Sequence, residues 1–558
     1  MKSTSAWKPI FNLNYCFFLL FFFSSTLSSE IVIDGELSEE EWKTAREINK
    51  FYEVFPFSLN DASGDTRILI QEDGKGIYIG FINIQAKETI RANQHQRDQG
   101  ARPPVGDQVG ITIDFDNDGK TGYRFSVNAG GSINDGTVIN ENEQNMDWDG
   151  DWLSATSIAD TGWFAEIFIP WTITSMKSQK GEERTVGFCF YRMLLSEYKV
   201  SATCRGSPYV NKFLSVFDEM NFKQYEVSKL DFFPYITISD DSVTEEQNTK
   251  TGAEIFWKID SSKQLNATLN PDFGQVESDE LVVNFSATET YYSDKRPFFA
   301  ENQAMFEVQG YQMFYVINTR RIGGAPDYNC PSFSSNLASS CSTSQKGTSD
   351  IDIAIRYIQQ SETLDFGFLG AFEKDEDFSQ GRDFYATKFR KTSKDFSFGY
   401  LGTHVERPVL NREATVHTTD FEYWASEDLR VSGVLINSKV NDKDGYGFRV
   451  GYGYTPSKTF SGGMGVWYFD EKIDLSDMGY LWRNDYAMLS GRFEWKQPEF
   501  PESSLSRERR YQIDFAYETD RKGTKETPPI AFTLTNGFKN SSQATLKTFY
   551  RASGRDSV

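Results

Sequence analysis

The chain is short of the residues that metal centres, nucleic-acid binding and helical membrane spans require. Its three histidines, His95, His404 and His417, lie far apart and no Cys-x-x-Cys occurs, which argues against a zinc site. Basic charge is scarce: 58 Lys and Arg stand against 80 Asp and Glu, a formal net of −22. A general nucleic-acid binder needs a basic face that releases counterions from phosphates, so nucleic acid is not an expected partner. Nowhere is there a run of 18 consecutive apolar residues, so no helical span is expected. What is plentiful is aromatic side chain. Phe (47), Tyr (27) and Trp (11) make up 15% of a chain that is only 39% hydrophobic and carries 42 Gly. Aromatics sit well on pleated surfaces and Gly serves turns and close approach, so the composition reads as all-β. At about 150 residues per domain, 558 residues suggest three or four domains.

Residues 1–29 read as a secretory signal peptide. Lys2 and Lys8 form the positive region, Cys16–Phe23 the apolar core, and Ser24, Ser25, Thr26 and Ser28 the small residues near a cleavage site. The apolar stretch is too short for a transmembrane anchor, which takes about 20 residues. Cys16 sits inside it rather than after a lipobox, which disfavours a lipoprotein. Removal leaves four cysteines, an even number suited to an oxidising compartment. Cys330 with Cys341, and Cys189 with Cys204, are the natural pairs.

An exported chain without a helical span is either a soluble secreted protein or an outer-membrane barrel. From about Phe232 onward the residues alternate with period two. Tyr446, Phe448, Val450, Tyr452 and Tyr454 alternate with Gly447, Arg449, Gly451 and Gly453. Ile351, Ile353, Ile355 and Tyr357 alternate with Asp352, Ala354 and Arg356, and the same holds around Phe366, Phe398 and Tyr511. One face is aromatic or aliphatic; the other is small, polar or charged. That is the pattern of a transmembrane barrel strand, apolar toward lipid and polar toward the lumen. A soluble sandwich also alternates, but its apolar faces would favour Val, Ile and Leu, and a domain boundary would break 300 residues of repetition. Residues 232–558 are therefore expected to form an antiparallel barrel of about 13–16 strands. The polar ending Arg551–Val558 lacks a terminal aromatic, so a truncated barrel missing its last strands is expected.

Residues 30–225 read as a separate β-sandwich, with 226–231 as linker. Ile77–Ile84, Val109–Phe115, Tyr123–Asn128, Trp163–Pro170 and Val186–Arg192 are its clearest strands. Acidic charge concentrates between Asp107 and Asp151, where ten Asp or Glu face two Lys or Arg.

The ordered pieces Ile33-Asp34-Gly35 with Leu37 and Trp42, Gly106-Asp107-Gln108-Val109, Tyr123-Arg124-Phe125 and Gly162-Trp163 through Glu166 to Trp171 carry a resemblance. Together they resemble the family 9-like carbohydrate-binding domains. Asn270–Asp279, Glu289, Lys295–Phe299, Glu301-Asn302, Arg320–Gly323 and Asp477–Tyr480 with Arg483–Asp485 resemble the uncharacterised barrel domain that follows such modules in secreted Gram-negative proteins. The pairing implies a sandwich that binds poly- or oligosaccharide, joined to a barrel in contact with outer-membrane lipid. One departure stands out: Gly206 precedes Ser207-Pro208, where relatives often place a Trp.

Sugar modules stack aromatic rings on pyranose faces, and Trp148 and Trp152, flanked by Asp147, Asp149 and Asp151, form the candidate platform. Either ring can equally belong to the core, as Trp163 and Trp171 are expected to. Asp114, Asp116 and Asp118 before Gly119 open like a calcium loop, but Phe125 stands where an EF-hand needs Glu and a strand follows. A β-turn Ca²⁺ site on these three carboxylates competes with a plain acidic hairpin. Asp272, Glu277, Asp279 and Glu280 raise a glycosidase reading, yet nothing fixes two of them across a cleft. No catalytic residue is assigned. The expected function is carbohydrate binding coupled to an outer-membrane barrel, in glycan capture, uptake or envelope assembly. Two alternatives stand beside it. One is a hydrolase of O-glycosyl bonds, or its accessory in polysaccharide breakdown; the other is a structural or secretion-related barrel whose sandwich binds protein or lipopolysaccharide.

Overall fold

The computed structural model describes residues 31–558 except 63–64, 100–104, 140, 147, 209–211, 242–245, 273–288, 293, 302, 309–312, 332–339, 342–344, 346, 394, 524–528, 541, 552 and 555–558. The expected signal peptide lies outside the described residues. Strand makes up more than half of the described residues and helix is confined to short single turns, in keeping with the aromatic and Gly-rich composition.

Two sheets form the N-terminal unit. One has five strands in the order Arg46–Ile48, Thr66–Glu72, Gly76–Ile84, Gly162–Pro170 and Leu153–Ala159. The other has nine, centred on Glu183–Leu194, Gln108–Asp114, Thr121–Asn128 and Ile133–Ile139. All five strands expected from alternation are present, with ends shifted by a few residues. Their inward faces supply one core: Ile68, Ile79, Phe81, Trp163 and Ile167 from the first sheet meet Val109, Ile111, Phe125, Val127 and Phe190 from the second. Phe81 and Phe190 touch edge to face across the sheets with centroids 6.0 Å apart. Burying each such side chain is worth about 1.5–3 kcal/mol.

The motif residues behind the sugar-module resemblance hold this unit together. Glu166 is fully buried, and its carboxylate accepts hydrogen bonds from the backbone N–H of Asp34 (2.9 Å) and Gly35 (2.8 Å) and from the Trp42 indole (3.2 Å). Gly35 has φ +90°, and a Cβ there would come within 2.8 Å of the Thr156 backbone, so only glycine fits. Both expected disulfides are formed: Cys189–Cys204 and Cys330–Cys341, with Cα atoms 5.2 and 5.7 Å apart.

From Lys229 on, fifteen strands make a single sheet, each antiparallel to the next, from Lys229–Asp241 to Gln543–Arg551. The count falls inside the expected range. Among the described residues the first and last strands do not pair with each other, so no closed ladder is formed.

The two faces of this sheet are inverted relative to the sandwich. On strand Lys443–Ser457, Tyr446 is 56% exposed and Val450 39%, whereas Gly445, Gly447, Arg449 and Gly451 are buried. Arg356, Lys388 and Arg449 all point inward and are at most 6% exposed. Outward rings join across strands: Tyr357–Phe366, Phe366–Phe389 and Phe389–Tyr400 form one row, Phe372–Tyr385–His404 another. Phe366 and Phe372 lie on one strand, a separation of roughly 20 Å at ~3.4 Å per residue. One expected position departs from the pattern. Ile351 was grouped with outward Ile353 and Ile355, but a register shift between 351 and 353 turns it inward, where it is 3% exposed.

The described parts of the connection 270–350 pack against the inward face of the sheet. Phe298, Phe299, Met305, Phe306 and Phe314 share one apolar cluster with inward Ile351, Ala354, Leu369, Ala371 and Phe384 of the wall. This segment is a plug.

Candidate functional site

The site with the most chemistry is the lumen, where plug, wall and sandwich meet. Aliphatic wall positions grip the plug, and between them stand charges that burial permits only when paired. Arg356 donates to the Phe298 carbonyl (2.6 Å) and to Glu301 (3.1 Å), and Glu301 also accepts from Gln264 (2.7 Å) and Asn266. Lys388 lies 2.9 Å from Asp420. Gly399 makes that possible, since a Cβ there would come within 2.4 Å of the Asp420 carboxylate. Arg296 is held at 2.6 Å by Asp294 and donates to the carbonyls of Thr319 and Ile322. The Lys295–Phe299 and Arg320–Gly323 motifs therefore build the plug rather than an active site.

Cavities of about 40–50 Å³ lie along the joint, lined among others by Glu143, Glu307, Lys120, Arg390 and Asp365, and two larger ones open between the sandwich and the sheet rim: about 650 Å³ among Ser58, Glu197, Glu499 and Arg507, and about 230 Å³ among Phe57, Lys212, Asp428 and Lys458. The smallest have room for a few waters, whereas the largest, at the sandwich rim, falls in the range of about 300–1,000 Å³ typical of small-molecule sites.

The sandwich covers one rim of the sheet, the rim carrying the turns near 261, 361, 428 and 458. Met176 donates from its backbone to Ser261 (2.7 Å), Ser175 to Gln264 (3.0 Å), and Lys258 to the Thr172 carbonyl. Lys177 reaches Asp365 (3.4 Å), Lys120 reaches Glu422 (2.8 Å) and Lys212 reaches Asp428 (3.0 Å). Lys458 donates to the Ser58 carbonyl (2.8 Å), and Arg507 to those of Glu197 and Tyr198 (3.3 Å each).

The expected calcium hairpin is one of these contacts. Asp118 is bonded by Lys177 at 2.6 Å, Asp116 lies 3.7 Å from Arg184, and Asp114 accepts from the backbone of Asp116 and Gly119. An ammonium and a guanidinium thus neutralise Asp116 and Asp118. Burial, reinforced by Asp118, pushes the Asp116 carboxyl up to about 6. Despite its burial, Lys177 is held above its ordinary value by Asp118, Asp365 and Asp116.

The expected sugar platform is corrected by the structure. Trp148 is only 9% exposed and Trp152 6%, and both belong to the sandwich core. Trp148 packs on Tyr123 (5.1 Å) and Phe125 (5.9 Å); Trp152 packs on Phe125 and donates its indole N–H to Asp135 (3.1 Å). Neither ring presents a face to solvent. Asp147, Glu277, Asp279 and Glu280 lie outside the described residues. Asp149 is exposed and pairs with Arg97 at 2.8 Å.

Among the described residues, carboxylate oxygens converge within 4.8 Å at Asp98, Asp135 and Asp149, a trio the sequence reading did not single out. Arg97 already bonds two of them, with 2.6 Å to Asp135. Burial, with Asp135 and Asp149 adding to it, pushes Asp98 up to about 7. Sequence reasoning also missed Lys120, Lys177, Lys212 and their barrel partners, because the partners lie up to 302 residues away. In the sequence, the acidic stretch around Asp272 suggests a plug contact, and the aromatic pair Phe298-Phe299 in a polar connection is a further sign of one.

With this geometry in place, similarity to known proteins can be set beside it. A family described as a domain of unknown function (DUF5916) matches residues 227–355, the first wall strands and the plug. No curated protein matches. Among solved structures, Pseudomonas aeruginosa OccK11 (OpdR) is 9% identical, covering 81% of this chain and 92% of its own, with TM-score 0.27. Acinetobacter baumannii OccAB3 is 10% identical (80% and 92% covered, TM-score 0.26), and an anion-selective porin from Comamonas acidovorans 11% (75% and 90%, TM-score 0.25).

Proposed function

We propose that this chain is an outer-membrane β-barrel protein of the channel or uptake kind, shut in the conformation described by its own plug and sandwich. The observation that carries the reading is the inverted sheet. In water, a surface bearing Tyr446, Val450, Tyr452, Val466, Leu489, Trp495 and Tyr517, all at least 37% exposed, far exceeds the apolar patch a soluble monomer tolerates. In lipid the same residues are at home, with aromatic rows at both edges of the apolar band and ion pairs on the lumen side. Barrels of this class keep short turns on the periplasmic side. The sandwich sits at the short-turn rim, which supports a periplasmic location for it.

Glycan capture by the sandwich draws no support from Trp148 or Trp152, and hydrolysis none from any placed carboxylate pair. The test is fractionation of cells expressing the full chain. The expected result is a heat-modifiable band in the outer membrane; recovery as a soluble periplasmic protein overturns the reading.

A further inference from the structure

The plug and the sandwich close the lumen by different chemistry. The plug shares a continuous apolar cluster with the wall. None of the four apolar clusters among the described residues joins the sandwich to the barrel. Beside a few neutral contacts (Met176 to Ser261, Ser175 to Gln264 and the bridge Ser178–Ser361), what joins them is charge, and among the described residues its ion pairs have one polarity. In all four ion pairs the lysine is on the sandwich and the carboxylate on the barrel: Lys120–Glu422, Lys177–Asp365, Lys180–Glu362 and Lys212–Asp428. An acidic sandwich thus presents cations where it meets the wall. In return, barrel cations Lys258, Lys458 and Arg507 cap sandwich carbonyls, and Lys496 and Arg507 lie over Phe57 and Phe55 at 5.6 and 5.4 Å.

Resting on the membrane reading above, we propose that the sandwich is a detachable lid held by this lysine–carboxylate latch, whereas the plug stays on the wall. Lysine is a point charge that makes no bidentate fork; the partly exposed pairs Lys180–Glu362 and Lys212–Asp428 are screened by salt over about 8 Å at physiological ionic strength, whereas the buried pairs Lys120–Glu422 and Lys177–Asp365 yield to charge reversal rather than to salt. Apolar plug packing is not weakened by added salt. The two closures therefore separate: charge reversal, with salt weakening the exposed pairs, frees the lid and leaves the plug seated.

The full chain, reconstituted in liposomes and carrying nitroxide labels at Glu40→Cys on the sandwich and Asp442→Cys on the far turn, reports the lid by its label distance. A single distance is expected at 0.1 M salt. In K120E/K212E the ratio of displaced to docked lid should rise at least tenfold, and in the milder K120Q/K212Q by a smaller factor. K212E alone should raise the ratio by a smaller factor, and adding D428K to K212E should bring it back to within about threefold of the parent; Glu422 is left in place because it also pairs with Arg430 at 2.8 Å. An unchanged distance in the reversed and neutral variants and at 1 M salt overturns the latch, as does failure of the swapped combination to restore docking. Failure of the membrane reading looks different: the parent chain then does not float with liposomes or shift on heating.

Discussion

The sandwich and the barrel sheet are written in the same alternation and fold it in opposite senses. In the sandwich, Phe81, Phe125 and Trp163 are wholly buried. In the barrel sheet, Tyr446 and Tyr452 face outward while Arg449 between them is 6% exposed. Period two says only that a strand has two unlike faces. Which face turns inward depends on the solvent outside, so composition decides: Val and Ile with Phe toward a dry core in one case, Gly and ion pairs toward a crowded lumen in the other. The regions also differ in what keeps them unique. The sandwich relies on apolar complementarity and the Glu166 clamp; the lumen relies on pairing each buried charge.

The largest expected effect separates the regions by cavity cost. Trp163→Ala should cost the sandwich about 3–5 kcal/mol in denaturant unfolding, because a wholly enclosed ring leaves a void. Tyr452→Ala, removing an outward ring, should cost about 1 kcal/mol or less. Equal losses at the two sites would erase the contrast.

The next effect reverses it. Val450→Arg places a charge on the outward face near the middle of its strand and should destabilise the folded barrel in lipid by about 2–4 kcal/mol. Ile158→Arg, on a sandwich position of similar exposure (43%), should stay within about 0.5 kcal/mol. Folding titrations in liposomes measure both.

Inside the lumen, Lys388→Met should cost about 1–3 kcal/mol, since Asp420 loses its partner while still bordering a hydrated cavity. Adding Asp420→Leu should recover most of that loss, because two matched apolar groups leave nothing unpaired. A double variant no better than the single one would mean that the pair matters for more than mutual neutralisation.

The smallest effect is in the pH dependence of the sandwich. Burial pushes Glu166 up to about 7, above its unfolded value near 4.5. A raised carboxyl contributes stability fully present below pH 4.5 and lost as pH rises through 7. The sandwich transition should therefore fall by a few degrees between pH 5 and 8, and Glu166→Gln should flatten that slope. A midpoint that rises with pH in the parent chain contradicts the sign.

The strands were legible because their signal is local. Trp163–Pro170 reads as a strand from its own alternation, and the structure extends it by Gly162 alone. Both disulfides were legible for a similar reason, each closing a short loop. Trp148 was misread because its immediate neighbours are Asp, Gly and Asn, whereas the rings that cover it, Tyr123 and Phe125, come from a strand well upstream. The cations beside the acidic hairpin were not legible, because Lys177 and Arg184 lie some 60 residues on. Ile351 was misplaced by a bulge, which alternation alone does not encode. Apart from that bulge, the missing information was the identity of a long-range partner.

The most direct test of the inverted sheet is labelling by a carbene precursor confined to the lipid tails, with peptide mapping of the full chain in its membrane. Label should appear on outward Val450, Tyr452, Val466 and Leu489. Inward positions such as Arg449, and the sandwich positions Ile84, Leu153 and Ile158, should remain unlabelled although these three are at least 43% exposed. Label on the sandwich but not on the sheet, or on neither, would contradict it.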